Sequence, residues 1–98
     1  MYIYVSCVPL LQEFFAYKED YVFTLHFNYM LNDDEKSSSI EVRDRDQFGE
    51  LLTFFYLRNH THPPSVVSRS NRLYVKYTAQ EKKQAIIYME LVAAKSKT

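Results

Sequence analysis

The chain has 98 residues, enough for one hydrophobic core but not for two, so we expect a single domain spanning residues 1–98. Twelve basic and twelve acidic residues give a formal net charge of zero, which argues against nucleic acid or an anionic membrane as a partner. Hydrophobic residues make up 47% of the chain and aromatic residues 16%, all of them tyrosine or phenylalanine, which favours strands over a helical bundle.

The first dozen residues, 1–12, are apolar, but they lack a basic start and a small-residue cleavage site, so we find no convincing signal peptide. No apolar run has the length needed to cross a bilayer, and we expect no membrane insertion by this chain. The single cysteine, Cys7, cannot close a disulfide within the chain, which taken alone fits a reducing compartment.

From Tyr21 onward apolar and polar residues alternate, which predicts a half-buried strand. Its apolar face consists of Phe23, Leu25 and Phe27. The polar run 32–39 predicts a loop, and a short amphipathic strand follows at 40–43. These segments predict a hairpin with a solvated tip.

Residues 47–57 form an apolar cluster of ambiguous period, compatible with a helical turn followed by a strand. Pro63 and Pro64 cannot donate hydrogen bonds to a sheet, and they predict an extended connection. The strand after them has the clearest pattern. Its inward face consists of Leu73, Val75 and Tyr77, and its outward face of Arg72, Tyr74 and Lys76.

No pattern in the chain predicts catalysis. Gly49 is the only glycine, which excludes a glycine-rich phosphate loop, and there is no nucleophile elbow and no metalloprotease helix motif. His60 and His62, with His26 elsewhere, are too few for a metal site without further ligands, so we expect solvated loop histidines. We therefore expect neither an enzyme nor a cofactor.

Two surface features bear on the location of the protein and on protein recognition. Asn59-His60-Thr61 is an N-glycosylation sequon in a predicted surface loop, which makes Asn59 a glycosylation candidate. Tyr56, Tyr74 and Tyr88 are candidates for exposed rings, which beside basic residues are typical of protein-binding surfaces. Cross-strand pairing within a sheet would use the same tyrosines. The binding-surface candidates are Tyr74, Arg72, Lys76 and Arg43.

The stretch from Ile40 to Tyr77 resembles the C-terminal half of a CUB domain, an extracellular β-sandwich that binds proteins. Four segments carry the resemblance: Ile40-Glu41-Val42-Arg43-Asp44, Leu51-Leu52, His62-Pro63-Pro64-Ser65-Val66-Val67-Ser68-Arg69-Ser70-Asn71 and Leu73-Tyr74-Val75-Lys76-Tyr77. They follow the family pattern in order and in spacing. The resemblance covers residues 21–91 and is most specific from Pro63 to Tyr77.

This resemblance implies an all-β fold, an antiparallel jelly-roll-like β-sandwich that recognises another protein and has no catalysis of its own. It also implies an extracellular or secreted location, within a secreted or membrane-anchored parent protein.

The chain departs from the CUB pattern at several positions. Ser37 and Tyr56 stand where the family carries its second cysteine pair, and Arg45 replaces a glycine. At the calcium-ligand positions only Asp33, Asp34 or Glu35 offers a carboxylate, since Ser38 and Ala79 occupy the other two, which implies a CUB domain without calcium.

Cys7 matches the second cysteine of the family's first pair, whose partner would lie upstream of Met1. The resemblance thus implies a domain missing its first strand or two. Such a domain would expose an unpaired sheet edge, and we expect that edge to allow dimerisation edge to edge.

The end of the chain is open to two interpretations. Residues 78–81 fit a capping box and helix formers dominate 81–95, which predicts a C-terminal helix. In the CUB family this region is a loop followed by a last strand, here with Ile87, Met89 and Leu91 on one face. Because strand residues depend more on packing than on intrinsic preference, we expect a strand at 85–91. The alternative is an α+β domain with a C-terminal helix, acting as a small intracellular adaptor or structural subunit.

Overall fold

The computed structural model describes residues 2–6, 10–32, 39–56, 63–78 and 85–96. Within them the chain forms eight strands and no helix: β1 (Tyr2–Ser6), β2 (Leu10–Ala16), β3 (Tyr21–Asn32), β4 (Ser39–Asp44), β5 (Leu51–Tyr56), β6 (Val66–Val67), β7 (Arg72–Thr78) and β8 (Ala85–Lys95). Sheet A has the strand order β1-β8-β3-β6, and sheet B has the order β2-β7-β4-β5. Every pairing is antiparallel.

Successive strands alternate between the two sheets, apart from the β4–β5 hairpin within sheet B. This order is that of an eight-stranded jelly roll, in which two sheets pack face to face. The prediction of an all-β, antiparallel jelly-roll-like β-sandwich is confirmed.

The alternative α+β fold with a C-terminal helix is wrong. β8 pairs with β3 along its whole length, from Ala85 opposite Asn32 to Lys95 opposite Tyr21, and it runs past the predicted end at Leu91. Ile87, Met89 and Leu91 all lie in the core. Cross-strand pairing and burial therefore override the helix propensity of this segment.

The sandwich interior combines the faces predicted from alternation. Sheet A contributes Phe23, Leu25, Phe27, Val66, Ile87, Met89 and Leu91, and sheet B contributes Ile40, Val42, Phe55, Leu73, Val75 and Tyr77. The rings of Phe27 and Phe55 meet edge to face across the two sheets, with centroids 5.2 Å apart. Full burial of one such side chain stabilises the fold by about 1.5–3 kcal/mol.

Residues 47–57 contain no helical turn within the described part. Residues 47–50 belong to the turn before β5, and the pairing of β4 with β5 shifts between Val42 and Arg43. Val42 lies opposite Thr53 and Arg43 opposite Leu51, so Leu52 is the extra residue of a β-bulge. The bulge breaks the period of two, which explains the ambiguous pattern.

Two strands near the start of the chain, β1 and β2, were not predicted from the sequence. β1 pairs with β8 in sheet A, and β2 pairs with β7 in sheet B. The start of the chain therefore adds one edge strand to each sheet.

Candidate functional site

The four binding-surface candidates lie together on the outer face of sheet B. Arg72, Tyr74 and Lys76 alternate with the core residues of β7, so they point away from the interior. Arg43 lies directly opposite Tyr74 in the β4–β7 pairing, and residues opposite each other share a face.

Apolar side chains from both edge strands extend the same face. Phe14 on β2 lies opposite Tyr74, and Leu51 on β5 lies opposite Arg43. Phe54 and Tyr56, also on β5, meet edge to face with ring centroids 5.3 Å apart. All four are exposed, from 45% for Phe54 to 55% for Phe14. The outer face of sheet B thus presents aromatic and aliphatic groups around basic residues.

Tyr74 forms the floor of this face rather than part of its exposed surface. The residue is only 2% exposed, so the expectation of an exposed ring does not hold for Tyr74. The Phe14 ring covers it, with centroids 5.0 Å apart, and the Tyr74 hydroxyl donates a hydrogen bond to Gln12 Oε1 at 3.1 Å. Burial raises the pKa of Tyr74 above its usual value of 10.0, the charge of Glu41 raises it further, and the charge of Arg43 opposes both.

Arg43 is held in place within the face. Its Nε donates to Glu41 Oε2 at 2.7 Å, and its Nη1 donates to the Gly49 carbonyl oxygen at 3.0 Å. The side chain therefore ties β4 to the turn before β5. Lys76 is half-buried and Arg72 is exposed, which leaves Arg72 the more accessible of the two cations.

Tyr88 and Tyr56 are exposed, at 43% and 46%. Tyr56 belongs to the outer face of sheet B, whereas Tyr88 lies on β8 in sheet A. The structure therefore separates these two candidates.

A polar corner at one end of the sandwich joins the segments that carry the CUB resemblance. Asp44 Oδ1 accepts hydrogen bonds from the backbone amides of Arg69 and Ser70, at 2.9 and 3.0 Å, and from Ser70 Oγ at 3.1 Å. Ser68 Oγ accepts from the Phe23 amide at 2.7 Å and donates to the Ser70 carbonyl oxygen at 2.8 Å. These bonds fix the connection into β7, one of the two inner strands of the candidate face.

Asn71 completes this corner. Its Nδ2 donates to the Tyr17 carbonyl oxygen at 2.7 Å, and the Tyr17 amide donates to the Asn71 carbonyl oxygen at 2.9 Å. No sequence motif predicted these roles for Asp44, Ser68, Ser70 and Asn71, although a Ser- and Asn-rich run after a short β-strand is a signal of side-chain to backbone hydrogen bonding.

Several residues to which the sequence assigned a role lie outside the part of the chain that the structure describes. They are Asn59, His60 and His62 of the sequon loop, Cys7, Ser37, and the calcium-ligand positions Asp33, Asp34, Glu35, Ser38 and Ala79. His26 is described, and its Nδ1 lies 2.6 Å from Ser65 Oγ.

Across the described ranges, no three His, Cys, Asp or Glu side chains come together as a metal site would require. The same ranges contain no helix of the length and hydropathy that a membrane span needs.

Neither the protein-family models nor the curated proteins compared with this chain match it.

Proposed function

We propose that this chain is a non-catalytic extracellular module of CUB type, without calcium, that binds another protein through the outer face of sheet B. The observation that carries the proposal is the composition of that face, where exposed Phe14, Leu51, Phe54 and Tyr56 surround basic residues. Aromatic residues and arginine are enriched in protein interfaces.

The rigidity of the face supports the same function. Tyr74 is packed beneath Phe14, and Arg43 is held by two hydrogen bonds. Side chains that are ordered before binding lose less entropy when a partner docks. The face is therefore suited to recognition by a preformed surface.

The CUB assignment is supported by the backbone at Arg45, which replaces a glycine of the family pattern. Arg45 has a φ of 73°, in the left-handed region that glycine adopts without strain. It is also supported by the Asp44 bonds, which connect the Ile40–Asp44 segment to the segment that ends at Asn71.

Cell-surface binding tests the recognition face. Biotin-labelled chain should bind saturably to intact cells, and prior protease treatment of the cells should remove the binding. The double variant Phe54→Ala and Tyr56→Ala should weaken binding about tenfold or more, because a few aromatic residues carry most of an interface's free energy. Tyr88→Ala is the matched control on sheet A. Equal losses for both variants, or no loss for the double variant, would exclude this face.

Secretion tests the compartment separately. Behind an added signal peptide, the chain should reach the medium with a mass shift at Asn59 that a glycosidase removes and that Asn59→Gln abolishes. Retention of the unglycosylated chain inside the cell would count against the extracellular assignment while leaving the recognition face open to the binding assay.

A further inference from the structure

The two edge strands of sheet B have directions that suit each other. β2 forms one edge and β5 the other, and among the described residues each pairs on one side only. Because all neighbours in this sheet are antiparallel, β5 runs opposite to β2. A free edge presents a row of backbone donors and acceptors that favours pairing with another strand. β5 of one copy beside β2 of another would form an antiparallel pair.

The register places apolar side chains at the same level on the two edges. One cross-strand row runs from Phe14 through Tyr74 and Arg43 to Leu51. If a second copy continued the sheet with this row aligned, its Phe14 would lie beside Leu51 of the first copy. Both residues are about half exposed, so the contact would bury apolar surface on both copies.

An apolar groove opens beside the end of β2. It has a volume of about 650 Å³ and is lined by residues 14–17 together with Phe23, Leu91, Val92 and Ala93. β1 covers β8 at residues 86–90, and in the described pairings residues 92–95 lie opposite β3 alone. The groove therefore lies between two sheet edges that have no partner strand in the described part of the chain.

Phe48 projects from the turn before β5, at the same end of the sheet as the groove. It is 82% exposed, the most exposed of the large hydrophobic residues described. The Phe48 amide donates to Asp46 Oδ1 at 2.9 Å, which holds the turn in shape. Gly49 is required there, since an added Cβ would lie only 1.6 Å from the Asp44 carbonyl oxygen. The ring is thus presented by a defined turn.

We propose that this chain associates with itself head to tail, with β5 of one copy pairing beside β2 of the next and Phe48 entering the neighbour's apolar groove. The groove and Phe48 belong to opposite edges of the sheet, so one copy cannot fill its own groove. Contact between two different patches is heterologous, and it forms chains unless the rotation closes a ring.

Charge does not oppose this contact. The chain has no net charge, and the turn that carries Phe48 has the oppositely charged Arg45 and Asp46 side by side. Two copies that approach each other therefore meet no excess of like charge. The proposal does not rest on the function proposed above: the contact uses the edge residues Phe14 and Leu51, whereas Phe54 and Tyr56, which the binding assay tests, are not part of it.

Sedimentation velocity over a range of concentrations tests the proposal. The weight-average mass should rise with concentration beyond twice the monomer's 11.7 kDa. One variant, Phe48→Asp with Leu51→Lys, disables the β5 edge, and another, Phe14→Lys with Val92→Lys, disables the β2 edge and the groove. Each should be monomeric alone. Mixed in equal amounts, they should form a dimer and nothing larger, since each retains one intact half of the contact.

Val67→Lys is the matched control, because it places the same charge on the exposed edge strand of sheet A and should leave association unchanged. Phe48→Ala, a milder change, should raise the concentration of half-assembly about tenfold. All altered side chains are at least 40% exposed, and circular dichroism checks that each variant folds. A wild-type chain that stays monomeric to about 1 mM, or a mixture that forms no dimer, would overturn the proposal.

Discussion

Replacing Ser68 with alanine should destabilise the fold by far more than the loss of one surface hydroxyl. Ser68 is 3% exposed, and its Oγ is the acceptor for the Phe23 amide at 2.7 Å. Alanine would leave that amide without the acceptor inside the sandwich, at a cost of about 1–3 kcal/mol. The bond that Ser68 donates to the Ser70 carbonyl oxygen is partly exposed and contributes about 0.5–1.5 kcal/mol.

Because water can replace part of the second bond, we expect Ser68→Ala to lower the free energy of unfolding by about 2–3 kcal/mol in total. Urea unfolding measures this change, and the slope against urea should stay constant if only the native state is affected. Ser65→Ala is the matched control: its hydroxyl contacts His26 at an exposed site, and the loss should stay within about 0.5 kcal/mol.

Hydrogen exchange separates this explanation from a general loosening of the core. The Phe23 amide should exchange much faster in Ser68→Ala, with the other core amides of β3 changed only by the global loss of stability. Equal losses of stability for Ser68→Ala and Ser65→Ala, or an unchanged Phe23 amide, would refute the reasoning.

Three further predictions follow from backbone strain, ionisation and packing. Arg45→Gly should be more stable than Arg45→Ala by about 1 kcal/mol in urea unfolding, because a φ of 73° strains any residue with a Cβ; equal stability would contradict this. Since burial raises the pKa of Tyr74, the contribution of this residue to stability should be complete below pH 10, its usual pKa, and should be lost as the pH rises through the folded-state pKa. Tyr74→Phe should flatten that fall, and an identical pH profile would exclude Tyr74 as its source. Leu25→Ala, at a fully buried site, should cost about 2–5 kcal/mol on thermal unfolding, whereas Val67→Ala at an exposed site should cost little.

Much of the fold could be predicted from alternation, since a period of two fixes which face of a strand is buried. The core positions Phe23, Leu25 and Phe27 and the core positions Leu73, Val75 and Tyr77 were assigned correctly for this reason. The C-terminal strand was harder, because local helix preference opposed it. Whether this segment forms a strand depends on its pairing with β3, which lies far upstream: Lys95 pairs with Tyr21, more than seventy residues earlier.

The candidate site shows what alternation leaves out. Alternation predicted correctly that Tyr74 points to the outer face. It did not predict that Phe14 would bury the Tyr74 ring, because Phe14 belongs to β2, a strand without a clear sequence pattern. β1 and β2 lack a clear period, and their partners lie near the other end of the chain. Exposure of a side chain depends on such distant neighbours, whereas its direction depends only on its own strand.

The pairing of β1 with β8 and of β2 with β7 also has a consequence for synthesis on the ribosome. Tyr2 pairs with Glu90 and Leu10 pairs with Thr78, so β1 and β2 cannot pair until β8 and β7 have been made. Until then β3 lacks β8, its long neighbour, and Leu25 and the rest of its apolar face have no cover. Among the strands described, only β4 and β5 pair with each other as direct neighbours in sequence. We therefore expect this domain to fold only after β8 has emerged from the ribosome, at the slow rate typical of non-local β-sheets.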